Sequence, residues 1–487
     1  MITLPSWNYF IFLAFVVVVY WRINRFWQNV FLLVASYLFY ALWDWRLLYI
    51  MIVSTGVVYV TALWMKRAKS VFERRAAFYA SIFWSLGVLL YFKYNNFFID
   101  AVCRLWGQPA APDHGLTIEI ILPLGLSFYT LQLLGYTIDV YNKTVEPHES
   151  VLDLALFIAF FPKILSGPIE RPKNLLVQIA QPRVFRGSQL MRGIDLIVWG
   201  LVKKLVVADN IGLYVNMIFA LKHPSLGLLL IGGFGFCIQL YADFSGYTDM
   251  CRGAGKMLGF DLLKNFNMPF LARTPMDFWN RWHMSFSSWI KDYLFMPLVF
   301  KLTKMHVVAG YILAVIISFG LAGLWHGPQW KFVVWGLYFA VLIIFYQFIF
   351  RPVLDLCWRE NFLTKALAVS ITYILVNVGF VLSRTPSLDF LWGQMKHEVV
   401  IKNVAGRGVE MAFASSADVS TILVLITVFI FFMVPLLFSL LYQWLQRHWK
   451  WNLDELYGFR VFLYTVAGVL LIIFAGINSN DFIYFKF

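Results

Sequence analysis

The chain has 487 residues, of which 61% are hydrophobic and 14% charged, with a net charge of +14 and a mean hydropathy of +0.71. A soluble domain of ordinary composition carries about 25% charged residues, so a string of soluble domains is excluded and a polytopic membrane protein is expected. The surplus lysine and arginine lies in short clusters between apolar runs, as at Lys66–Lys69 and Arg74–Arg75. That is the positive-inside pattern of cytoplasmic loops, not a basic stripe for nucleic acid.

Four cysteines, Cys103, Cys237, Cys251 and Cys357, show no paired spacing, which argues against a disulfide framework or a thiolate metal site. A transmembrane helix needs about 20 mostly apolar residues. Trp7–Trp21, Val30–Tyr40, Leu47–Met65 and Ala76–Phe92 are the first candidates. Arg22 and Arg25 follow the first apolar run and no small-residue cleavage site does, so a retained helix is expected rather than a signal peptide. Placing the basic loops in the cytosol puts the N-terminus outside, together with the Asp44 turn and an Asp100–Gly115 loop.

Ile118–Leu134 is apolar but interrupted by Pro123 and Gly125, and a polar piece follows at Asp139–Glu149. Leu152–Leu165 leads into Phe160–Pro172, whose three prolines and one glycine break any straight helix. Lys163, Glu170 and Arg171 there fit either the mouth of a wet cavity or an interfacial loop with snorkelling cations. Arg192–Ala208 is amphipathic, and glycine-rich Leu226–Ala242 runs into Asp243-Phe-Ser-Gly-Tyr-Thr-Asp249. Gly232, Gly233 and Gly235 lack the Lys-Ser/Thr of a phosphate loop, and close helix packing explains them better. After the central stretch come Phe332–Phe350, Ala366–Ser383, Val419–Gln446 and Val461–Asn480, with Arg384–Asp418 as the largest intervening piece. The expectation is all-α: about eleven crossings plus re-entrant or interfacial helices in one membrane domain. Residues 1–117 would be N-terminal spans, 118–350 a catalytic core and 351–487 C-terminal spans.

Charge and polarity concentrate between Phe270 and Trp330, where His283 sits among Arg273, Asp277, Arg281, Lys291 and Asp292. His326 stands alone at the end of an apolar run, followed by Gly327 and Pro328. Ionisable groups at membrane depth are costly and often mark function. His326 fits a general base towards a hydroxyl, against the plainer reading of a histidine bonded to a backbone carbonyl. At helical spacing Trp282, Phe286 and Trp289 share one face and Arg281, Ser285 and Ser288 another, which fits an interfacial helix with an aromatic belt. His283 would then orient an acceptor or stabilise an oxyanion. Asp243 and Asp249 are paired carboxylates without HxxxH or HExxH, so no metal is expected.

Taken together, Leu122–Tyr129, Phe160–Ile169, Asp243–Met250, Phe278–Ser285, Gly323–Gly327 and the aromatic Phe482–Phe487 resemble the membrane-bound O-acyltransferase family. Within it they are similar to the bacterial branch of alginate O-acetylation and teichoic-acid D-alanylation membrane subunits. The resemblance implies that His326 matches the family's catalytic histidine and His283 the second histidine of this branch. It also implies helices around a funnel, lined here by Asp243, Ser245, Tyr247, Asp249, Arg281 and Trp325 as candidates. One departure stands out: Val299–Lys304 replaces a Gly-Gly-Asn-Arg turn of relatives.

The expected function is therefore an O-acyltransferase of the bacterial inner membrane that acetylates an exported polysaccharide or cell-wall glycan. Asp243, Asp249, Arg281 and Lys291 suit ion pairs better than substrate contacts. No bound cofactor is expected. Acetyl-CoA is the expected donor, with an acylated carrier protein as the alternative. Membrane lipid and an extracytoplasmic partner acyltransferase are the expected associates, and nucleic acid is not. The rival readings are a transporter or flippase, for which repeated halves are missing, and a non-catalytic scaffold.

Overall fold

The computed structural model describes residues 4–107, 120–221, 224–352, 361–394, 419–449 and 457–475. Every regular element among them is helical, as the apolar runs predict. The chain forms two compact units: Met1–Ile197 with Thr248–Lys264 and Lys291–Tyr293, and Val198–Tyr247 with Asn265–Ile290 and Leu294–Phe487. The aromatic C-terminal motif at 482–487 and the 108–115 part of the expected first loop lie outside the described residues, as does most of the Arg384–Asp418 piece.

In the first unit, α1 (Trp7–Tyr20) and α2 (Arg25–Arg67) begin where Ser6 and Asn24 accept hydrogen bonds from the amides of Tyr9 and Trp27. Such side-chain caps are each worth about 1 kcal/mol. Helix α2 has 43 residues with one non-helical position, Asp44 (φ −154°, ψ 107°). At 1.5 Å per residue this is roughly 65 Å, about twice the hydrocarbon core. The two expected spans are thus the halves of one element broken at Asp44, whose carboxylate pairs with Arg46 at 2.8 Å. Helix α3 (Val71–Leu89) continues through a wide π turn into α4 (Asn95–Leu105), so the start of the expected Asp100–Gly115 loop is helix instead.

Helices α5 (Leu126–Tyr141), α6 (Val151–Ala159), α7 (Val177–Ala180) and α8 (Gly187–Leu201) follow. Between α6 and α7 the proline-broken segment is irregular and buried. Lys163 is 0% exposed; its ammonium donates to Gln132 Oε1 and to the carbonyl of Ile158. Glu170, also buried, accepts from the Leu263 amide at 2.6 Å and from Asn174 Nδ2 at 2.7 Å. Neither a snorkelling loop nor a cavity mouth describes these two, because local amide and carbonyl groups replace water around each charge. Arg171 pairs with Asp292 at 3.1 Å and lies over the ring of Tyr293.

In the second unit, a π turn (Val202–Ala208) leads to α9 (Asp209–Ala220) and α10 (Leu226–Met257, to Tyr247 in this unit). The short α11 (Pro275–Arg281), α12 (Met284–Ile290) and α13 (Met296–Leu302) precede the long α14 (Val307–His326) and α15 (Trp330–Phe345). Then come α16 (Phe362–Arg384), α17 (Val419–Trp449) and α18 (Tyr457–Phe474). The Val299–Lys304 segment is mostly the end of α13. The glycines of α10 fit tightly: a Cβ on Gly233 would fall 2.3 Å from Val381, and one on Gly235 2.5 Å from Phe429. Helix packing accounts for these glycines.

Among the described residues, six helices are long and apolar enough to cross a membrane, and three shorter apolar ones accompany them. The protein is multi-pass, but a count of eleven crossings is not reached among the described residues.

Candidate active site

The site is assembled in the second unit from three local devices. The first is the α14–α15 hairpin. His306 Nδ1 caps α14 by accepting from the Ala309 amide at 3.1 Å, and Gly327 ends the helix directly after His326. The two helices touch backbone to backbone at Gly323 and Gly336. A Cβ on Gly323 would lie 2.2 Å from the Phe332 carbonyl oxygen, and one on Gly336 would lie 2.2 Å from that of Phe319. This contact sets His326 against Trp335, with ring centroids 4.9 Å apart. Gly323→Val is therefore expected to force the hairpin open and cost at least about 1–3 kcal/mol by overpacking. Thermal unfolding in detergent checks this, and an unchanged transition would contradict it.

The second device is the bend that carries His283. Thr274 caps α11 by accepting from the Asp277 amide at 3.0 Å, with Pro275 in the first turn. Arg281 closes the helix, pairing with Asp277 at 2.7 Å. The chain then turns sharply: His283 has φ +44°, a left-handed conformation that costs a non-glycine residue about 1–3 kcal/mol and clusters at functional sites. Helical spacing across residues 281–289 is consequently broken. Ser285 is buried and hydrogen-bonded to Asn265 Oδ1 at 2.6 Å, whereas Ser288 is exposed. Trp282, Phe286 and Trp289 are buried in the unit rather than forming an interfacial belt. His283 is 0% exposed, and burial, with a smaller push from His326, holds it well below the ordinary histidine pKa, so its ring is neutral.

The third device is an ion triad. Lys204 Nζ lies 2.9 Å from Asp209 Oδ1 and 2.8 Å from Asp243 Oδ1, and all three residues are buried. The next residue along α10, Phe244, meets His283 edge-on at 4.7 Å.

These devices bring the two histidine rings to 6.4 Å between centroids. Phe286 stacks on His283 at 5.0 Å and on Trp325 at 4.4 Å, forming an aromatic floor under the pair. His326 is half-buried and His283 fully buried, so His326 is the more exposed of the two histidines. Among the other candidates, Ser245 and Tyr247 are buried on α10. Asp249 belongs to the first unit, where it pairs with Arg252 at 3.1 Å. No cluster of three metal-ligating side chains occurs among the described residues. Sequence reasoning passed over Asn265, Lys204, Asp209 and Trp335 as parts of this site. The available signals were the two asparagines around Phe266 and a lysine pair on an otherwise apolar stretch.

The family model described as "MBOAT, membrane-bound O-acyltransferase family" matches residues 145–385. The probable alginate O-acetylase of Pseudomonas aeruginosa is 32% identical over 386 residues, covering 79% of this chain and 72% of the relative. The peptidoglycan O-acetyltransferase of Helicobacter pylori is 29% identical over 423 residues, 81% of this chain and 78% of the relative. The teichoic acid D-alanyltransferase of Bacillus subtilis is 33% identical over 281 residues, 56% of this chain and 70% of the relative.

Proposed function

Since the chain belongs to the membrane-bound O-acyltransferase family and is thereby an O-acyltransferase, we propose that it transfers an acetyl group from cytosolic acetyl-CoA for the O-acetylation of an exported polysaccharide or cell-wall glycan. The observation that carries the site is the meeting of His283 and His326 at 6.4 Å. His326 takes the proton of an acceptor hydroxyl as its oxygen attacks the thioester carbonyl. The tetrahedral intermediate collapses, the C–S bond breaks, and the proton held by His326 passes to the departing thiolate. His283, neutral and buried, orients the reacting groups. Two relatives whose names specify acetyl transfer to glycans, alginate in one and peptidoglycan in the other, support the acetyl and glycan assignments. Acetyl ester content of the exported glycan, compared with and without this chain, tests the reading: unchanged ester content would contradict it.

The asymmetry of lysine and arginine in the early loops supports an inner-membrane orientation with the N-terminus outside. A tag at Gly107 is expected to be accessible from outside and a tag at Lys69 only from the cytosol; cytosolic labelling at Gly107 would reverse the topology. The half-buried His326 serves a single hydroxyl that reaches it more readily than a long polymer. A separate extracytoplasmic acyltransferase is therefore proposed to receive the acetyl group and pass it to the glycan. This chain alone in liposomes, given acetyl-CoA and polymer, is expected to esterify little polymer; efficient esterification would remove the need for the partner.

A further inference from the structure

We propose that Asn265 is the positioning residue that holds His283 in place for acyl transfer, an inference that rests on the role given to His283 above. The bend at His283 does not sustain itself, since its φ of +44° is a conformation that side-chain-bearing residues avoid. It is over-determined from outside by the segment Asn265–Asn267, which runs alongside it. The Met284 amide donates to the Asn265 carbonyl at 2.8 Å, and the Asn267 amide donates to the Arg281 carbonyl at 3.0 Å. These two backbone bonds grip the chain on either side of Trp282 and His283.

The Asn265 side chain adds the decisive restraint. Its Oδ1 accepts from Ser285 Oγ at 2.6 Å and from the Ser285 amide at 3.3 Å, satisfying an amide at the start of α12. Asn265 is 1% exposed, so water does not substitute for it. Phe266, the residue between the two asparagines, packs edge-on against Trp282 at 5.1 Å and against Phe244 at 5.2 Å. Phe244 in turn meets the His283 ring. One short segment thus fixes the backbone of His283 by hydrogen bonds and one wall of its ring by packing. The ring itself is left to face Phe286 and His326. A displacement of about 1 Å at such a site costs about a hundredfold in rate.

The test uses the full-length protein in proteoliposomes with labelled acetyl-CoA, comparing the unmodified chain with Asn265→Ala and Asn265→Asp. Asn265→Ala is expected to lower kcat about a hundredfold with KM for acetyl-CoA changed by less than about twofold. Asn265→Asp keeps an oxygen for Ser285 and is expected to recover to within about tenfold of the unmodified rate. Modification by diethyl pyrocarbonate, read by mass spectrometry, supplies a measure independent of turnover. His283 is expected to be protected in the unmodified chain and to react in Asn265→Ala. If Asn265→Ala fails to fold, Ser285→Ala, which removes one donor only, carries the same expectation with a loss of about tenfold. Unchanged kcat with His283 still protected, in whichever of these variants folds, would overturn the proposal. Normal turnover in His326→Ala would instead sink the acyl-transfer reading, and the protection of His283 would still decide whether Asn265 positions it.

Discussion

Replacing His326 by alanine is expected to lower acetyl transfer by about 10²–10⁴-fold, the usual contribution of a positioned general base, while leaving the protein folded in the membrane. The ring lies at the last helical position of α14 and is half-buried, so its removal opens no sealed core cavity. Gly327, not His326, ends the helix. Loss of activity without loss of folded protein is therefore the specific signature. It is read as transfer rate at matched membrane level, with thermal unfolding as the control. A His326→Ala protein that turns over at near-normal rate would remove the histidine from the chemistry.

The next largest effect is expected at Lys204, and it falls on stability. Its ammonium is shared by Asp209 and Asp243 at 2.9 and 2.8 Å, and all three side chains are at most 5% exposed. Lys204→Met keeps most of the volume but leaves two buried carboxylates facing one another without their shared cation. Breaking a buried ion pair from one side costs about 3–5 kcal/mol, a large part of the roughly 5–15 kcal/mol that holds a typical domain. The α10 segment beside Phe244 should loosen with it. A clear fall in the thermal transition is expected, and a Lys204→Met protein that melts like the unmodified chain would show that the triad carries no net stability.

The elements that could be read from the sequence are those with local causes. Long apolar runs gave the helices, and the prolines and glycine of Phe160–Pro172 announced broken backbone. Gly327 and Pro328 marked the end of the helix bearing His326. What the sequence hid depends on partners distant along the chain. Lys163 fitted either a cavity mouth or a snorkelling loop, because nothing near it in the chain shows that Gln132 receives its ammonium. The turn at His283 was hidden because left-handed backbone is usually signalled by glycine. Here it is enforced on a histidine by Asn265 and Asn267, and the aromatic spacing from Trp282 to Trp289 therefore imitates one continuous helix. The motifs resembling the acyltransferase family pointed to both histidines, but their distance from each other depends on how the α11–α12 bend packs on the α14–α15 hairpin, with Trp279 on Trp335 at 5.8 Å and Phe286 on Trp325 at 4.4 Å.

As proposed above, this chain carries an acetyl group from a cytosolic donor to an acceptor on the far side. The test uses sealed membrane vesicles with the chain, the proposed exported partner and the glycan, supplied with labelled acetyl-CoA on the cytosolic face only. Labelled ester should accumulate on the opposite side, and should vanish when the chain is omitted or carries His326→Ala. Label appearing on the glycan equally with and without the chain, or ester forming only on the cytosolic face, would show that the chain does not carry the acetyl group across.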